Sequence, residues 1–259
     1  MSLRLWAEHL SRGVVLRRRL PREFKALPIY VTPEAGLRYW RRDLRKVDAM
    51  LLRMVRELVA PGSVVWDVGA NVGLFAFSAA ALAGPSGTVL AVEPDLWLAQ
   101  LLTRSARQIK KQAKSVASLT VLPAAVCETN RIGQLHIAER ARSANHLVES
   151  HGSTQAGGPR ATQNIVTVSL DFLLEHFPSP SVLKIDVENA EVGVLTGASK
   201  LLRTARPTIW CEVHPENSMK VAEMLLDSGY QIYAAALDPE KRTPLKRASW
   251  DTLAVPSPS

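Results

Sequence analysis

The sequence predicts an α/β protein whose main sheet is mostly parallel and carries helices on both faces. Two observations support this fold class. Short apolar runs with strand character alternate with longer segments that show helical periodicity. The predicted strands are continuously apolar, which is typical of parallel sheets that are buried on both sides. At 259 residues the chain is long enough for one large domain with an appendage.

The alternation begins after a Pro61-Gly62 break and continues along most of the chain. The predicted strands are 64–68, 88–92, 119–125, 182–185, 208–213 and 231–237, with a terminal edge strand at 250–255. The predicted helices are 72–83, 96–114, one that ends near 202, and 218–228. Residues 131–171 form an insertion, in which short strands at 134–138 and 165–170 flank a polar stretch, 151–164, that we expect to be mobile.

The first 60 residues predict a basic, helical N-terminal segment that precedes a domain spanning 61–259. The segment holds 14 Lys and Arg against 6 Asp and Glu, which accounts for the whole net charge of +8. Such a segment is either a solvated surface or a site for an anionic partner. Weak association with an anionic membrane through Arg17, Arg18 and Arg19 is the alternative that we test.

Composition and cysteine usage exclude several classes of protein. The chain is 47% hydrophobic and 22% charged, which is typical of a soluble globular protein. No apolar run approaches the ~18 residues of a membrane span, and the N-terminus lacks a secretion signal. Cys127 and Cys211 are far apart, so we expect free thiols and no metal site. These features predict a cytoplasmic protein, with the inner membrane surface as a peripheral location.

The stretch VVWDVGANVGLF, residues 64–75, predicts a strand, a tight turn and a helix. Gly69 and Gly73 allow the backbone to turn sharply and to approach a ligand, with Ala70 and Asn71 between them. The spacing is not the G-x-G-x-x-G of a dinucleotide fold. Asp67 ends the strand, where a carboxylate would repel pyrophosphate but would suit a ligand with an ammonium and a sulfonium group.

The second strand supports the same ligand. Glu93 ends that strand, lies 20 residues after Gly73 and is followed by Pro94. An acid at this position can accept hydrogen bonds from both ribose hydroxyls. Glu93 alone would also fit NAD, but together with Asp67 it predicts S-adenosylmethionine as the cofactor.

Five motifs in order resemble the FkbM family of methyltransferases over residues 64–233. They are DVGANVG, AVEP, LKIDVENAEVGVLTGASKLL, RPTIWCEVH and LLDSGY. The resemblance implies a Rossmann-like class I methyltransferase fold with a seven-stranded sheet. It also implies methyl transfer to a hydroxyl of a sugar, glycolipid or secondary metabolite. Asn189 stands where the family usually has glycine, but asparagine tolerates a left-handed backbone, so we expect the turn to survive.

Methylation of a hydroxyl calls for a general base, which contributes ~10²–10⁴ in rate. We identify three candidates at strand ends: Asp186, Glu188 and His214. Glu191 fits the start of a helix whatever the function, and His146 in the insertion is a further candidate for contact with the acceptor. Asp186 and Glu188 are too few ligands to assert a metal site.

The acceptor itself stays open at this level. A second possible enzymatic function is N-methylation of an amine or peptide, because a neutral amine needs less help from a base. A nucleic-acid-binding methyltransferase or a non-catalytic binding module is the third. Residues 61–259 carry 18 basic and 18 acidic residues, unlike the basic cleft of an RNA enzyme, so we do not expect a nucleic-acid partner.

Overall fold

The computed structural model describes residues 3–113, 115–148 and 158–258. Its helices are α1 Leu3–Leu10, α2 Ala49–Leu58, α3 Leu74–Ala83, α4 Leu96–Gln112, α5 Leu170–His176, α6 Glu191–Thr196, α7 Ser199–Thr204 and α8 Ser218–Asp227. Its strands are β1 Leu16–Arg19, β2 Pro28–Val31, β3 Val64–Val68, β4 Thr88–Val92, β5 Ser118–Leu122, β6 Ala125–Val126, β7 Arg131–Ala138, β8 His146–Leu147, β9 Pro159–Val168, β10 Val182–Ile185, β11 Thr208–Glu212, β12 Tyr230–Ala234 and β13 Asp251–Pro256.

The main sheet has seven strands in the order β12-β13-β11-β10-β3-β4-β5. The five strands from β11 to β5 are parallel, and β13 is antiparallel to both β11 and β12. The mostly parallel, seven-stranded prediction is therefore confirmed. The expected position of the last strand was wrong, because β13 lies inside the sheet between β11 and β12. Its antiparallel direction brings Asp251 opposite Glu212 at the carboxyl ends of the parallel strands.

Helices cover both faces of this sheet, as predicted. On one face, α2, α3 and α4 share a core with the N-terminal segment and with inward-facing side chains such as Val65 and Trp210. On the other face, α5 to α8 pack against side chains that include Trp66 and Ile185. Because neighbouring residues of a strand point to opposite faces, Asp67 and Lys184 belong to the first face, below the N-terminal segment.

The N-terminal segment is less helical than predicted. Between α1 and α2 the chain forms a two-stranded antiparallel ribbon, β1 with β2, followed by short 3₁₀ turns. Side chains alternate along the ribbon, so Arg17 and Arg19 are exposed while Leu16 and Arg18 are partly buried. The segment packs into the same core as α3 and α4 rather than standing apart. No helix among the described residues is both long and apolar enough to cross a bilayer.

The insertion forms a second sheet of four strands in the order β6-β9-β7-β8. Its long strands, β7 and β9, are antiparallel and exceed the short strands that the sequence predicts. Of the stretch expected to be mobile, 151–164, residues 151–157 lie outside the described residues. Residues 159–164 belong to β9, where polar contacts replace apolar packing: Gln163 donates to the Pro94 carbonyl oxygen over 2.9 Å.

Candidate active site

One cavity of about 370 Å³ opens at the carboxyl ends of the parallel strands. Three parts of the chain enclose it. The floor comes from the turns after β3, β4, β10 and β11, one wall from the N-terminal segment, and the other wall from the insertion sheet. This volume lies within the ~300–1,000 Å³ of small-molecule sites, and the location is the one expected for ligands of open α/β sheets.

The glycine turn shapes the centre of the floor. Gly69 has φ +77°, and a Cβ placed there would stand 1.8 Å from the backbone oxygen of Asp186. Glycine is therefore required, because the turn after β3 lies directly against the turn after β10. Gly73 also has a positive φ, +86°, but its missing Cβ makes room for the side chains of Phe77 and Leu102. Gly69 lines the cavity and Gly73 does not, so the role of Gly73 is helix packing rather than the predicted approach to a ligand.

Glu93 presents a buried carboxyl group to the cavity at the end of β4. One oxygen accepts a hydrogen bond from the backbone N–H of Asn71 over 2.7 Å, and the other accepts from the N–H of Asp95 over 2.9 Å. Burial raises the pKa of Glu93 to about 8 despite these two donors. Asn71 adopts φ +52°, and Ala70, Asn71 and Pro94 line the cavity beside Glu93.

Asp67 differs from expectation, because it does not line the cavity. Its carboxylate is fully buried under the floor and forms an ion pair with Lys184, the residue opposite it on β10, at 3.3 Å. Because side chains alternate along β3, the side chain of Asp67 points to the interface between the sheet and its helices. The turn that follows β3 lines the cavity. Asp67 therefore contacts the site only through Lys184.

Lys184 is the cation at the centre of the floor. Its ammonium donates to the Gly69 carbonyl oxygen and to Oδ2 of Asp186, each over 3.1 Å. Burial alone would lower the pKa of Lys184, but Asp186, Asp67 and Glu212 outweigh it, so that the pKa lies above its ordinary value. Lys184 thus stays charged and fixes one oxygen of Asp186, whose side chain is 30% exposed and lines the cavity.

Glu188 also reaches the cavity, although not by strand alternation. Strand β10 ends at Ile185, and Glu188 and Asn189 have φ of +48° and +72° in the following turn. Burial, then Asp186 and then Glu191, raise the pKa of Glu188 to about 8. The left-handed conformation at Asn189 confirms that asparagine replaces glycine there without loss of the turn.

Glu191 begins α6, as predicted, and is buried away from the cavity. Its Oε1 accepts from the Asn189 N–H over 2.9 Å, and its Oε2 accepts from Nδ2 of Asn217 over 2.6 Å. These bonds hold the turn that carries Glu188.

His214 is not brought to the cavity, whereas Glu212 is. The ring of His214 leans toward the indole of Trp250, with centroids 6.3 Å apart, and its Nδ1 lies 3.9 Å from the Glu216 carboxylate. The prediction of a shared side for Glu212 and His214 was wrong, because β11 ends at Glu212 and alternation stops there. Burial, and next the charge of Asp186, raise the pKa of Glu212 to about 8.

The insertion closes the cavity next to Glu93 through an ionic network. Arg142 lies 2.5 Å from Oδ2 of Asp95 and 2.8 Å from Oε1 of Glu34, so one side chain joins the insertion, the loop after β4 and the N-terminal segment. Asn145 donates to the same Asp95 oxygen over 2.7 Å. His146 lines this end of the cavity, in agreement with its place as a candidate contact residue.

The site shows no feature of a metal centre in the described part of the chain. Within residues 3–113, 115–148 and 158–258, no three His, Cys, Asp or Glu side chains form a group that could hold a metal ion. Cys127 and Cys211 are both free, and Cys211, on β11, is buried in the core on the α5-to-α8 face of the sheet.

Several lining residues were not identified from the sequence as site residues. They are Arg38, Asp48, Arg142, Lys184, Glu212, Trp250 and Asp251. Only Lys184 carried a usable signal, because a lysine inside the apolar strand VLKI must pair with a buried acid. The others come from segments that are distant in sequence, and their meeting depends on the tertiary fold.

The chain is similar to several known proteins. A curated relative, the hexuronic acid methyltransferase AglP of Haloferax volcanii, is 30% identical over 180 residues, which span 68% of this chain and 66% of that protein. Among solved structures, methyltransferase FkbM from Methylobacillus flagellatus has a TM-score of 0.46 at 16% identity and covers 81% of this chain and 51% of its own. Aeropyrum pernix fibrillarin with natively bound S-adenosylmethionine has a TM-score of 0.42 at 13% identity, with 80% and 73% covered.

A family model, the methyltransferase FkbM domain, matches residues 67–232. The matched region runs from the end of β3 to β12 and includes the four strand tips, of β3, β4, β10 and β11, that form the cavity floor. The match covers more than half of the chain and agrees with both the sheet and the position of the site. The chain therefore belongs to the FkbM methyltransferase family, and its cofactor is S-adenosylmethionine.

Proposed function

We propose that this protein transfers the methyl group of S-adenosylmethionine to a hydroxyl of a sugar, free or within a glycolipid or secondary metabolite. The observation that carries the proposal is the position of Asp186. Its carboxylate lies at the tip of β10 in the cavity, next to the Gly69 turn and held on one oxygen by Lys184. The name of the relative AglP, a hexuronic acid methyltransferase, supports a sugar-type acceptor.

The residues present fit the methyl donor. The Glu93 carboxyl group faces the cavity with each oxygen engaged by only one N–H, so both retain capacity for ribose hydroxyls. Apolar Leu98, Ala124 and Val126 line the neighbouring wall and would contact the adenine. The turn at Gly69 would lie against the methionine part, where no side chain could be accommodated. When bound, S-adenosylmethionine supplies a methyl group that is already activated by its sulfonium.

The chain itself must then position and deprotonate the acceptor. Alignment of the hydroxyl can be worth ~7–11 kcal/mol in favourable cases. Asp186 would accept the hydroxyl proton, since Lys184 fixes its orientation and the side chain remains accessible. Glu188 and Glu212 flank it on neighbouring turns and would hold further acceptor hydroxyls. A sugar presents several such groups, whereas an amine acceptor gives these carboxyl groups less to bind.

The lining also argues against the nucleic-acid alternative. Each of the three cations in the described cavity wall is already paired with a carboxylate, so the wall offers no free cation to a phosphate backbone.

Two substitutions test the proposal together. Glu93→Ala should weaken S-adenosylmethionine binding by ~1.5–3 kcal/mol in calorimetry, the scale of losing the hydrogen bonds to two ribose hydroxyls. Asp186→Asn should lower turnover at least ~10²-fold and leave the Kd for S-adenosylmethionine nearly unchanged, as expected for loss of a proton acceptor. Turnover is measured as S-adenosylhomocysteine release with sugars and, in parallel, with amines. Methylation of amines alone would refute the hydroxyl acceptor, and an unchanged rate for Asp186→Asn would exclude that residue as the base.

A further inference from the structure

The cavity has a second end, on the far side of Asp186 from Glu93. The strand order places the tips of β4, β3, β10 and β11 in a row. Strands are spaced at ~4.8 Å, so the tip that carries Glu212 lies about 14 Å from the tip that carries Glu93. A ligand held by Glu93 therefore leaves this second end free. We name it the β13 end, after the strand that begins there with Asp251, directly after Trp250.

Two parts of the chain build the β13 end. From the sheet come Glu212 and Asp251, which are directly opposite each other on the antiparallel pair β11 and β13. From the N-terminal segment come Arg38 and Asp48, whose side chains pair at 3.3 Å. Trp250 lines the same end with 56% of its surface exposed. An indole this exposed at a cavity rim offers a flat apolar face to a ligand.

The charged groups of the whole cavity lining bear on which acceptors fit. The described cavity lining has three Lys and Arg residues, which are Arg38, Arg142 and Lys184. It has six Asp and Glu residues, which are Asp48, Glu93, Asp186, Glu188, Glu212 and Asp251. Each of the three cations already has a carboxylate partner. An anionic acceptor, such as a sugar carboxylate or a phosphate, would therefore find no cation in this lining that lacks a carboxylate partner.

A cationic acceptor is also disfavoured, for a different reason. Glu212 and Asp251 stand where like charges destabilise a cross-strand pair, so the pair favours retention of a proton. Burial raises the pKa of both groups, to about 8 for Glu212. A carboxyl group that keeps its proton both donates and accepts hydrogen bonds, which suits hydroxyl groups better than an ammonium.

We propose that the β13 end binds the methyl acceptor as an uncharged sugar ring, which stacks on Trp250, exchanges hydrogen bonds with the carboxyl groups of Glu212 and Asp251, and donates a hydroxyl hydrogen bond to the Asp48 carboxylate. This inference rests on the proposed function and narrows its acceptor class. The acceptor that we infer is uncharged, unlike the hexuronic acid in the name of the relative AglP. The apolar face of a sugar ring packs on the indole, while its hydroxyls reach the carboxyl groups on the cavity side.

The test uses methyl glycosides of three kinds: neutral hexoses and 6-deoxyhexoses, hexuronic acids, and amino sugars. Release of S-adenosylhomocysteine is measured with the full chain. We expect the highest kcat/KM with a neutral glycoside, at least ~10-fold above its hexuronic acid counterpart. Trp250→Ala should raise KM about 10-fold, the scale of lost aromatic stacking, with kcat and the Kd for S-adenosylmethionine within about twofold. Trp250→Phe should keep KM close to that of the unaltered protein, because it retains an aromatic ring.

Trp6→Ala is the matched control, because Trp6 has a similar exposure of 58% and does not line the cavity. A neutral glycoside methylated equally well by Trp250→Ala would overturn the inference and leave the proposed function standing, as would a preference for hexuronic acids. Methylation of amino groups alone would overturn the proposed function itself. If no glycoside turns over, saturation-transfer NMR on the S-adenosylhomocysteine-bound protein decides: contact of neutral glycosides that Trp250→Ala abolishes supports the inference, and no contact refutes it.

Discussion

The ammonium of Lys184 lies 3.3 Å from Oδ1 of Asp67, and both side chains are closed off from solvent. The two residues are direct neighbours on β10 and β3, so their pairing ties together the two strands whose turns form the middle of the site. A buried ion pair contributes little net stability, but the loss of one partner leaves a charge without compensation. Asp67 thus acts on the site through Lys184.

Lys184→Met should therefore destabilise the protein strongly, by ~3–5 kcal/mol, since Asp67 would remain buried without its cation. The double variant Asp67→Leu/Lys184→Met should recover most of that loss, because it removes both charges and keeps apolar volume. Urea denaturation gives the free energy of unfolding of the single and the double variant. Lys200→Met is the control, since Lys200 pairs with Glu175 at an exposed site and should have a small effect. A double variant as unstable as the single one would contradict this account.

Gly69→Ala should abolish S-adenosylmethionine binding in calorimetry, because its Cβ would collide with the Asp186 carbonyl oxygen and push the two turns apart. Gly62→Ala separates this collision from backbone strain. Gly62 has nearly the same φ, +83°, but its nearest neighbour would be 3.7 Å away, so it carries only the ~1 kcal/mol cost of a left-handed alanine. If Gly62→Ala loses binding as fully as Gly69→Ala, strain rather than close approach would be the cause.

The sequence predicts the part of the fold that depends on local pattern. Strand β10, Val182–Ile185, matches its predicted bounds, because a short apolar run between polar turns has no competing structure. The ribbon of β1 and β2 was missed, since an arginine-rich stretch favours an exposed helix when read alone. In the structure, contacts with residues that are distant in sequence stabilise the ribbon. The N–H of Tyr30 donates to Ser105 on α4, and Arg104 stacks on the Tyr30 ring at 3.8 Å.

The same division applies to the site. Glu93 and Asp186 follow their strands directly, so their place at the sheet edge could be predicted from the sequence. Trp250 and Asp251 could not, because a strand that inserts antiparallel between β11 and β12 looks like an edge strand in a linear reading. His214 shows the reverse case, since its predicted orientation assumed a strand that ends two residues earlier.

The basic N-terminal segment predicts weak binding to anionic lipid. Arg17 and Arg22 are exposed, and Trp6 and Leu10 on α1 are 58% and 66% exposed. Each cation contributes about 1 kcal/mol near an anionic surface. Sedimentation with phosphatidylglycerol vesicles at low salt should exceed that with neutral vesicles, and Arg17→Gln/Arg22→Gln should weaken it at least ~10-fold. Lys246→Gln/Arg247→Gln removes two exposed cations elsewhere and serves as the control. Equal sedimentation with both kinds of vesicle would mean that the segment is a solvated surface.

The buried carboxyl groups predict that stability falls as pH rises. Glu212 has a pKa of about 8 in the folded protein, against an ordinary value of 4.5, and Glu93 and Glu188 are raised to about 8 as well. Between these two values the folded state retains protons that the unfolded state has released. The contribution of each group is therefore complete below pH 4.5 and is lost as pH rises toward 8.

The midpoint of thermal unfolding of the ligand-free protein should consequently be lower at pH 8.5 than at pH 6. Glu212→Gln should reduce this difference and should raise the midpoint at pH 8.5, because an amide does not ionise beside Asp186 and Asp251. Glu223→Gln is the control, since Glu223 is exposed in a surface pair with Lys220 and should leave the pH dependence as it is. An identical dependence in Glu212→Gln and the unaltered protein would show that Glu212 is ionised throughout this range.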